Sequence, residues 1–116
     1  MGLRLTGGPI NRINVVEIHG DVDVATSPVL KRRLRTAIDE GWRLVLVDLT
    51  HVGFIDSSGL AALVFAYRRL ESSAGRIAVV APSDDQRHIF AIAGLDKILG
   101  VQASKAEAIA RVTAVG

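Results

Sequence analysis

A carboxylate, two hydroxyls and a glycine follow one another at Asp56-Ser57-Ser58-Gly59. Residues of these types could do three kinds of chemistry. A serine hydroxyl attacks a carbonyl when a histidine takes its proton. His51 is close in sequence, but the G-x-S-x-G elbow is absent and no oxyanion loop stands out, which argues against hydrolysis. Asp56, together with Asp21 and Asp23 upstream, could hold a divalent cation, although carboxylates on separate loops more often cap turns. His19, His51 and His88 lack metal-ligand spacing, and the glycines form neither G-x-G-x-x-G nor a P-loop, so no metal, nucleotide or other cofactor is expected. The third possibility is recognition. Asp and Ser cap helices by accepting bonds from the unpaired N–H groups of the first turn, and the same N-terminus favours an added phosphate. The stretch therefore reads either as a capped helix start or as a serine placed for phosphorylation. Neither reading needs a catalytic residue.

The elements that must position this stretch can be read around it. Leu44 to Leu49 is apolar without alternation, the mark of a strand covered on both faces. A helix runs from Asp56 to about Ser72, with Leu63, Tyr67 and Leu70 as its packing ridge and Ala61, Phe65 and Arg68 facing away. Upstream, Leu3-Arg4-Leu5 and Ile13 to Gly20 read as a hairpin of two strands joined by a turn at Gly7-Gly8-Pro9. Ser27 is a good N-cap and Pro28 suits the first helical position. Leu30, Leu34, Ala37 and Ile38 then repeat at helical spacing until Gly41. Downstream, Ile77 to Val80 is a further buried strand. Ser83 with Gln86 forms a capping box for a helix through Ile89, Phe90, Ile92 and Ala93. A short strand is expected from Ile98 to Val101. Ser104 with Glu107 forms a second box, opening a helix through Ala106, Ile109, Ala110 and Thr113 to the terminus. The order β-β-α-β-α-β-α-β-α describes one α/β domain over residues 1–116. Its expected sheet is mixed but mainly parallel, with about five strands and about four helices.

Composition narrows the classes further. The 116 residues are 49% hydrophobic and 22% charged, the balance of a water-soluble domain with one core. Cysteine is absent, which excludes disulfides and thiolate sites. No apolar run approaches the ~18 residues of a membrane span, and Met1-Gly2-Leu3-Arg4 lacks the apolar stretch of a signal peptide, so a cytoplasmic location is expected. The net charge is +2, yet the pI is about 9.5. The densest basic cluster, Lys31-Arg32-Arg33-Leu34-Arg35, has no interleaved aromatics, and Asp39 and Glu40 follow closely. It reads as a solvated helix face rather than a nucleic-acid patch.

Several motifs taken together resemble the STAS family, above all its stand-alone bacterial anti-sigma factor antagonists. They are Gly20-Asp21-Val22-Asp23, the helix opening after Thr26-Ser27-Pro28, Val47-Asp48-Leu49, Phe54-Ile55-Asp56-Ser57-Ser58-Gly59-Leu60 and Ala93-Gly94-Leu95. The resemblance implies a binding protein that is a kinase substrate rather than an enzyme. In that family the serine directly after the aspartate is phosphorylated by an anti-sigma factor that is also a serine kinase. The unphosphorylated antagonist binds this kinase and frees the sigma factor; a PP2C-type phosphatase reverses the modification. Ser57 is the matching residue, Asp56 and Asp23 match acidic residues beside the phosphorylation site, and Ser58 and Gly59 shape the helix entrance. Ala61, Phe65 and Arg68 are the expected partner surface. Two departures stand out: many family members are acidic whereas this chain is basic, and Phe65 stands where a small or polar residue is expected. STAS domains also serve in stressosome particles and anion transporters, so a structural subunit of such a complex is the alternative. No membrane or nucleic-acid partner is implied.

Overall fold

The computed structural model describes residues 2–114; residues 1, 115 and 116, the ends of the expected domain, lie outside it. The chain forms β1 (Arg4–Thr6), β2 (Pro9–Ile10), β3 (Ile13–Val22), α1 (Ser27–Asp39), β4 (Leu44–Ile55), α2 (Ser57–Glu71), β5 (Arg76–Val80), α3 (Asp84–Ile92), β6 (Val101–Gln102) and α4 (Lys105–Thr113). The sheet order is β1-β3-β4-β5-β6, with β2 also paired to β3. β1 and β2 run antiparallel to β3, while β3, β4, β5 and β6 are parallel. The expected α/β fold with a mixed, mainly parallel sheet is therefore present. The additional strand is the two-residue β2, which falls where the sequence reads as a turn.

The three crossovers β3-α1-β4, β4-α2-β5 and β5-α3-β6 all step the same way along the sheet. Their helices consequently lie on one face. Val16, Ile18, Val45, Val47 and Val79 meet Leu30 and Leu34 of α1, Leu63 and Leu70 of α2 and Phe90 of α3 there. α4 alone covers the other face, placing Ala108 and Val112 on Val15, Leu46, Ala78 and Val80. The central strands β4 and β5 are thus covered on both sides, which is why their sequences show no alternation. Burying a side chain such as Leu63, which is fully covered, contributes about 1.5–3 kcal/mol before entropy is counted.

Four local readings change. β4 continues beyond Leu49 to Ile55, because it bulges rather than stops. Twice it advances three residues where β3 advances two, between the pairs Glu17–Asp48 and His19–His51 and between Gly20–Val52 and Val22–Ile55. The Asp48 carboxylate accepts from the Thr50 amide and hydroxyl at the first irregularity. Gln86 of α3 donates to the carbonyls of Leu49 and Val52, at 2.9 and 3.2 Å, beyond the point where pairing with β5 ends. α1 is entered from Thr26 rather than Ser27, with Pro28 still in its first turn. β6 begins at Val101, leaving Ile98 and Leu99 in the preceding turn. α4 presents Ala108 and Val112 to the sheet, whereas Ala106, Ala110 and Thr113 are exposed. The Ser83–Gln86 capping box is complete; at Ser104 the Glu107 amide is capped and the hydroxyl donates to the Glu107 carboxylate.

Candidate functional site

Both loops that follow the C-terminal ends of β3 and β4 are tied by a carboxylate. Asp56 is the N-cap of α2, and its Oδ1 accepts from the amides of Ser58 (2.9 Å) and Gly59 (3.3 Å). Its own amide donates to the Val22 carbonyl at 3.1 Å, which fastens the α2 entrance to the end of β3. Asp23 organises the other loop. Its Oδ1 accepts from Ala25 N (2.9 Å) and Thr26 N (3.0 Å), and the Thr26 hydroxyl donates to the Asp21 carbonyl. The Thr26 amide, with help from its hydroxyl and from Ala25, holds the Asp23 carboxyl below the ordinary carboxylate range despite partial desolvation. Both carboxylates therefore serve the backbone, and among the described residues no group of His, Cys, Asp and Glu is arranged to hold a metal ion.

Gly59 is required by space rather than by φ. A Cβ there would lie 2.6 Å from Ile55 Cγ1 and 2.7 Å from Val22 Cγ1, both inside van der Waals contact. The first turn of α2 can sit on the ends of β3 and β4 only without that side chain. This contact fixes the helix axis, and with it the direction of the two serines. Ser57 is exposed, and its hydroxyl makes no hydrogen bond among the described residues. Ser58 is half-buried and lines a shallow cavity between α1 and α2 with Ser27, Pro28, Lys31 and Ala61.

The two sets of site residues expected from sequence do not lie equally open. Asp23, Asp56, Ser57, Ser58 and Gly59 gather at the carboxyl edge of the parallel strands, where open α/β sheets bind their ligands. Ala61 and Arg68 are exposed on α2. Phe65 is half-buried: Lys31 of α1 places its Nζ 4.6 Å from the ring centroid, and the Arg69 guanidinium carbon lies at 5.7 Å. Phe65 thus joins α1 to α2 as well as reaching solvent. Sequence reasoning missed a second apolar group at the same edge as Ser57. Phe54 is 53% exposed, and it lines a cavity of about 220 Å³ between the end of β4 and α3 with Ile89. The available signal was Phe54 itself, a large apolar residue two positions before Asp56. His19 and His51 are register partners whose rings stack at 4.8 Å, with the Thr6 hydroxyl 2.9 Å from His19 Nε2.

The STAS domain model matches residues 9–108. This chain belongs to the STAS domain family. The anti-sigma-B factor antagonist of Staphylococcus aureus (strain NCTC 8325 / PS 47) is 28% identical over 101 residues, covering 87% of this chain and 94% of that protein. An anti-sigma factor antagonist from Mycobacterium paratuberculosis superposes with a TM-score of 0.88 at 25% identity, covering 97% of this chain and 96% of the other. The Bacillus cell fate determinant SpoIIAA in its phosphorylated form gives a TM-score of 0.70 at 27% identity, over 96% and 99% of the two chains. The STAS likeness therefore spans nearly the whole chain and includes both edges of the sheet. Among the described residues, no helix is long and apolar enough to cross a membrane.

Proposed function

We propose that this STAS domain is a cytoplasmic anti-sigma factor antagonist, a binding protein and not an enzyme. Unphosphorylated, it binds an anti-sigma factor that is a serine kinase and so frees the sigma factor. Phosphorylation of Ser57 by that kinase switches it off, and a PP2C-type phosphatase restores it. The observation that carries this reading is the contrast between the two serines. Ser57 is exposed at the head of α2, its hydroxyl without a hydrogen bond among the described residues, while Ser58 is turned toward α1.

The same geometry supports a switch that acts by charge. A phosphate adds about 1.5 to 2 negative charges. At a helix N-terminus such a group is normally stabilised by free amides, but here the Ser58 and Gly59 amides already serve the Asp56 carboxylate. The new charge stays at the surface beside Asp56 and Asp23, so the fold tolerates it while a docking partner must desolvate it. Phe54 and Ile89 supply apolar area near Ser57 for such a partner, beside Ala61 and the exposed part of Phe65 on α2. A loss of ~3 kcal/mol on docking weakens a complex more than a hundredfold. The test is capture by the cognate kinase: Ser57→Ala should bind as the unmodified protein does, and Ser57→Asp more than about a hundredfold more weakly. Circular dichroism of both should match the parent. Equal capture of the two variants would refute a charge switch at this serine.

A further inference from the structure

The cavity between the end of β4 and α3 has a charge in its wall as well as apolar surface. Val52, Ile55 and Ile89 line it with aliphatic side chains, and Phe54 adds a half-exposed ring. Three polar residues, Ser83, Asp85 and Gln86, complete the lining. Two of them are engaged within the fold. The Ser83 hydroxyl accepts from the Gln86 amide, and the Gln86 side-chain nitrogen donates to the carbonyls of Leu49 and Val52. Asp85 differs: it is exposed, and among the described residues its carboxylate makes no hydrogen bond or ion pair.

Among the described residues no Lys or Arg lines this cavity. Arg87, the cation nearest to Asp85 in sequence, is held by the carbonyls of Ala81 and Pro82, at 2.8 Å each, and by Asp84. A further carboxylate stands beside Gly53, which is part of the same wall: a Cβ at that glycine would lie 3.1 Å from Asp21 Oδ1. Asp84 and Asp85 together offset the positive end of α3. The mouth of the cavity is therefore acidic, and a cation entering it meets no competing charge.

Size and chemistry together select the occupant. At about 220 Å³ the cavity falls below the ~300–1,000 Å³ of sites for cofactors and drug-sized ligands, and it suits a single side chain. A purely apolar side chain would fill it but would cover Asp85 without a partner, and a charge buried unpaired is costly. A cation on an alkyl stem meets every wall, with its methylenes on Val52, Ile55 and Ile89 and its charge against Phe54 and Asp85. Arginine suits this better than lysine, because a flat guanidinium stacks on a ring while its N–H fork engages a carboxylate. A free guanidine would leave the outer part of Phe54 in water. A protein surface carrying the arginine covers that part too, and Ile55 stands only two residues before Ser57.

We propose that this cavity receives one arginine side chain of the partner protein that docks over Ser57, anchoring the complex. The proposal rests on the reading of this edge as the partner surface, and its test has an arm that needs no kinase. That arm is an NMR titration with N-acetyl-arginine amide, using N-acetyl-citrulline amide, which has the same shape without the charge, and N-acetyl-lysine amide as controls. The arginine probe should give saturable shifts at Val52, Phe54, Asp85 and Ile89, and both controls should bind more weakly. Asp85→Asn and Phe54→Leu should each weaken the arginine probe about two- to fivefold, the scale of one exposed ion pair or cation–π contact. In the second arm, Asp85→Arg should weaken capture of the purified cognate kinase at least about tenfold, with the circular dichroism of the parent. Equal binding of citrulline, shifts centred elsewhere, or unchanged capture in Asp85→Arg overturns the proposal. If the parent itself captures no kinase, the functional reading fails, and the titration alone decides the arginine site.

Discussion

Replacing Gly59 by alanine tests how the α2 entrance is built. Two effects oppose each other. Alanine favours a helix over glycine by about 1 kcal/mol in an interior position, so an unobstructed Gly59→Ala would stabilise the protein. The added Cβ, however, would stand 2.6 Å from Ile55 Cγ1, 2.7 Å from Val22 Cγ1 and 3.0 Å from Ile55 Cδ1. Val22 is wholly buried and Ile55 is 4% exposed, so neither can swing into solvent. Overpacking of this kind costs ~1–3 kcal/mol, and the propensity gain in the first turn falls short of its interior value. The clash wins, leaving a net loss of about 1–2 kcal/mol, a fall in thermal midpoint of roughly 3–10 °C for a domain of this size. Urea and thermal melts followed by circular dichroism measure it. Because relief requires α2 to move away from β3 and β4, the variant should also be a poorer substrate for phosphorylation than its stability loss explains. A midpoint equal to or above the parent would refute the close-packed entrance, and with it the account of how Ser57 is aimed.

Leu46 and Leu63 are fully buried on opposite faces of the sheet, and truncating either to alanine should cost ~2–5 kcal/mol in urea melts; a loss below ~1 kcal/mol would place that face wrongly. For Asp23, whose carboxyl is held below its ordinary value by the Thr26 and Ala25 amides, the sign follows from linkage: the folded state favours the ionised form. Its stabilisation is present in full above the unfolded pKa and is lost as pH falls through the lower folded pKa. The stability gap between parent and Asp23→Asn should therefore close on acidification, and NMR titration should find the Asp23 midpoint below that of a model peptide; a gap independent of pH would contradict it. On the proposed partner surface, Phe54→Ser should weaken capture of the kinase with little change in thermal midpoint, since the side chain is largely exposed. Phe65→Glu should weaken capture too, its loss of packing under Lys31 offset in part by a new charge pair with it. A large drop in midpoint with unchanged capture would assign Phe65 to the α1–α2 joint alone.

What was legible in the sequence was mostly local. Val45 to Val47 and Ile77 to Val80 announce strands covered on both faces, Asp56 announces the cap of α2, and Ser83 with Gln86 announces the start of α3; each of these features is complete within a few residues. The features that escaped depend on distant partners. β4 reads as ending at Leu49 because Thr50, His51 and Gly53 look like a loop, and only pairing with β3 and the Gln86 amide hold them as a bulged strand. The inner face of α4 is ambiguous because alanines fall on every side of it, and the sheet selects Ala108. Phe65 looks outward on its own helix, and the residue that covers it, Lys31, belongs to another. The site shows the same division. The order Asp56-Ser57-Ser58-Gly59 can be read directly, but the divergence of the two hydroxyls follows from Gly59 packing on Val22 and Ile55.

Site mapping after phosphorylation bears most directly on the central claim. The protein would be incubated with its cognate anti-sigma kinase and ATP, and the modified residue located by mass spectrometry in the parent, Ser57→Ala and Ser58→Ala. Stoichiometric phosphate on Ser57 in the parent and in Ser58→Ala, with none in Ser57→Ala, is the predicted result. Phosphate on Ser58, or on neither serine, would contradict the account at its central residue.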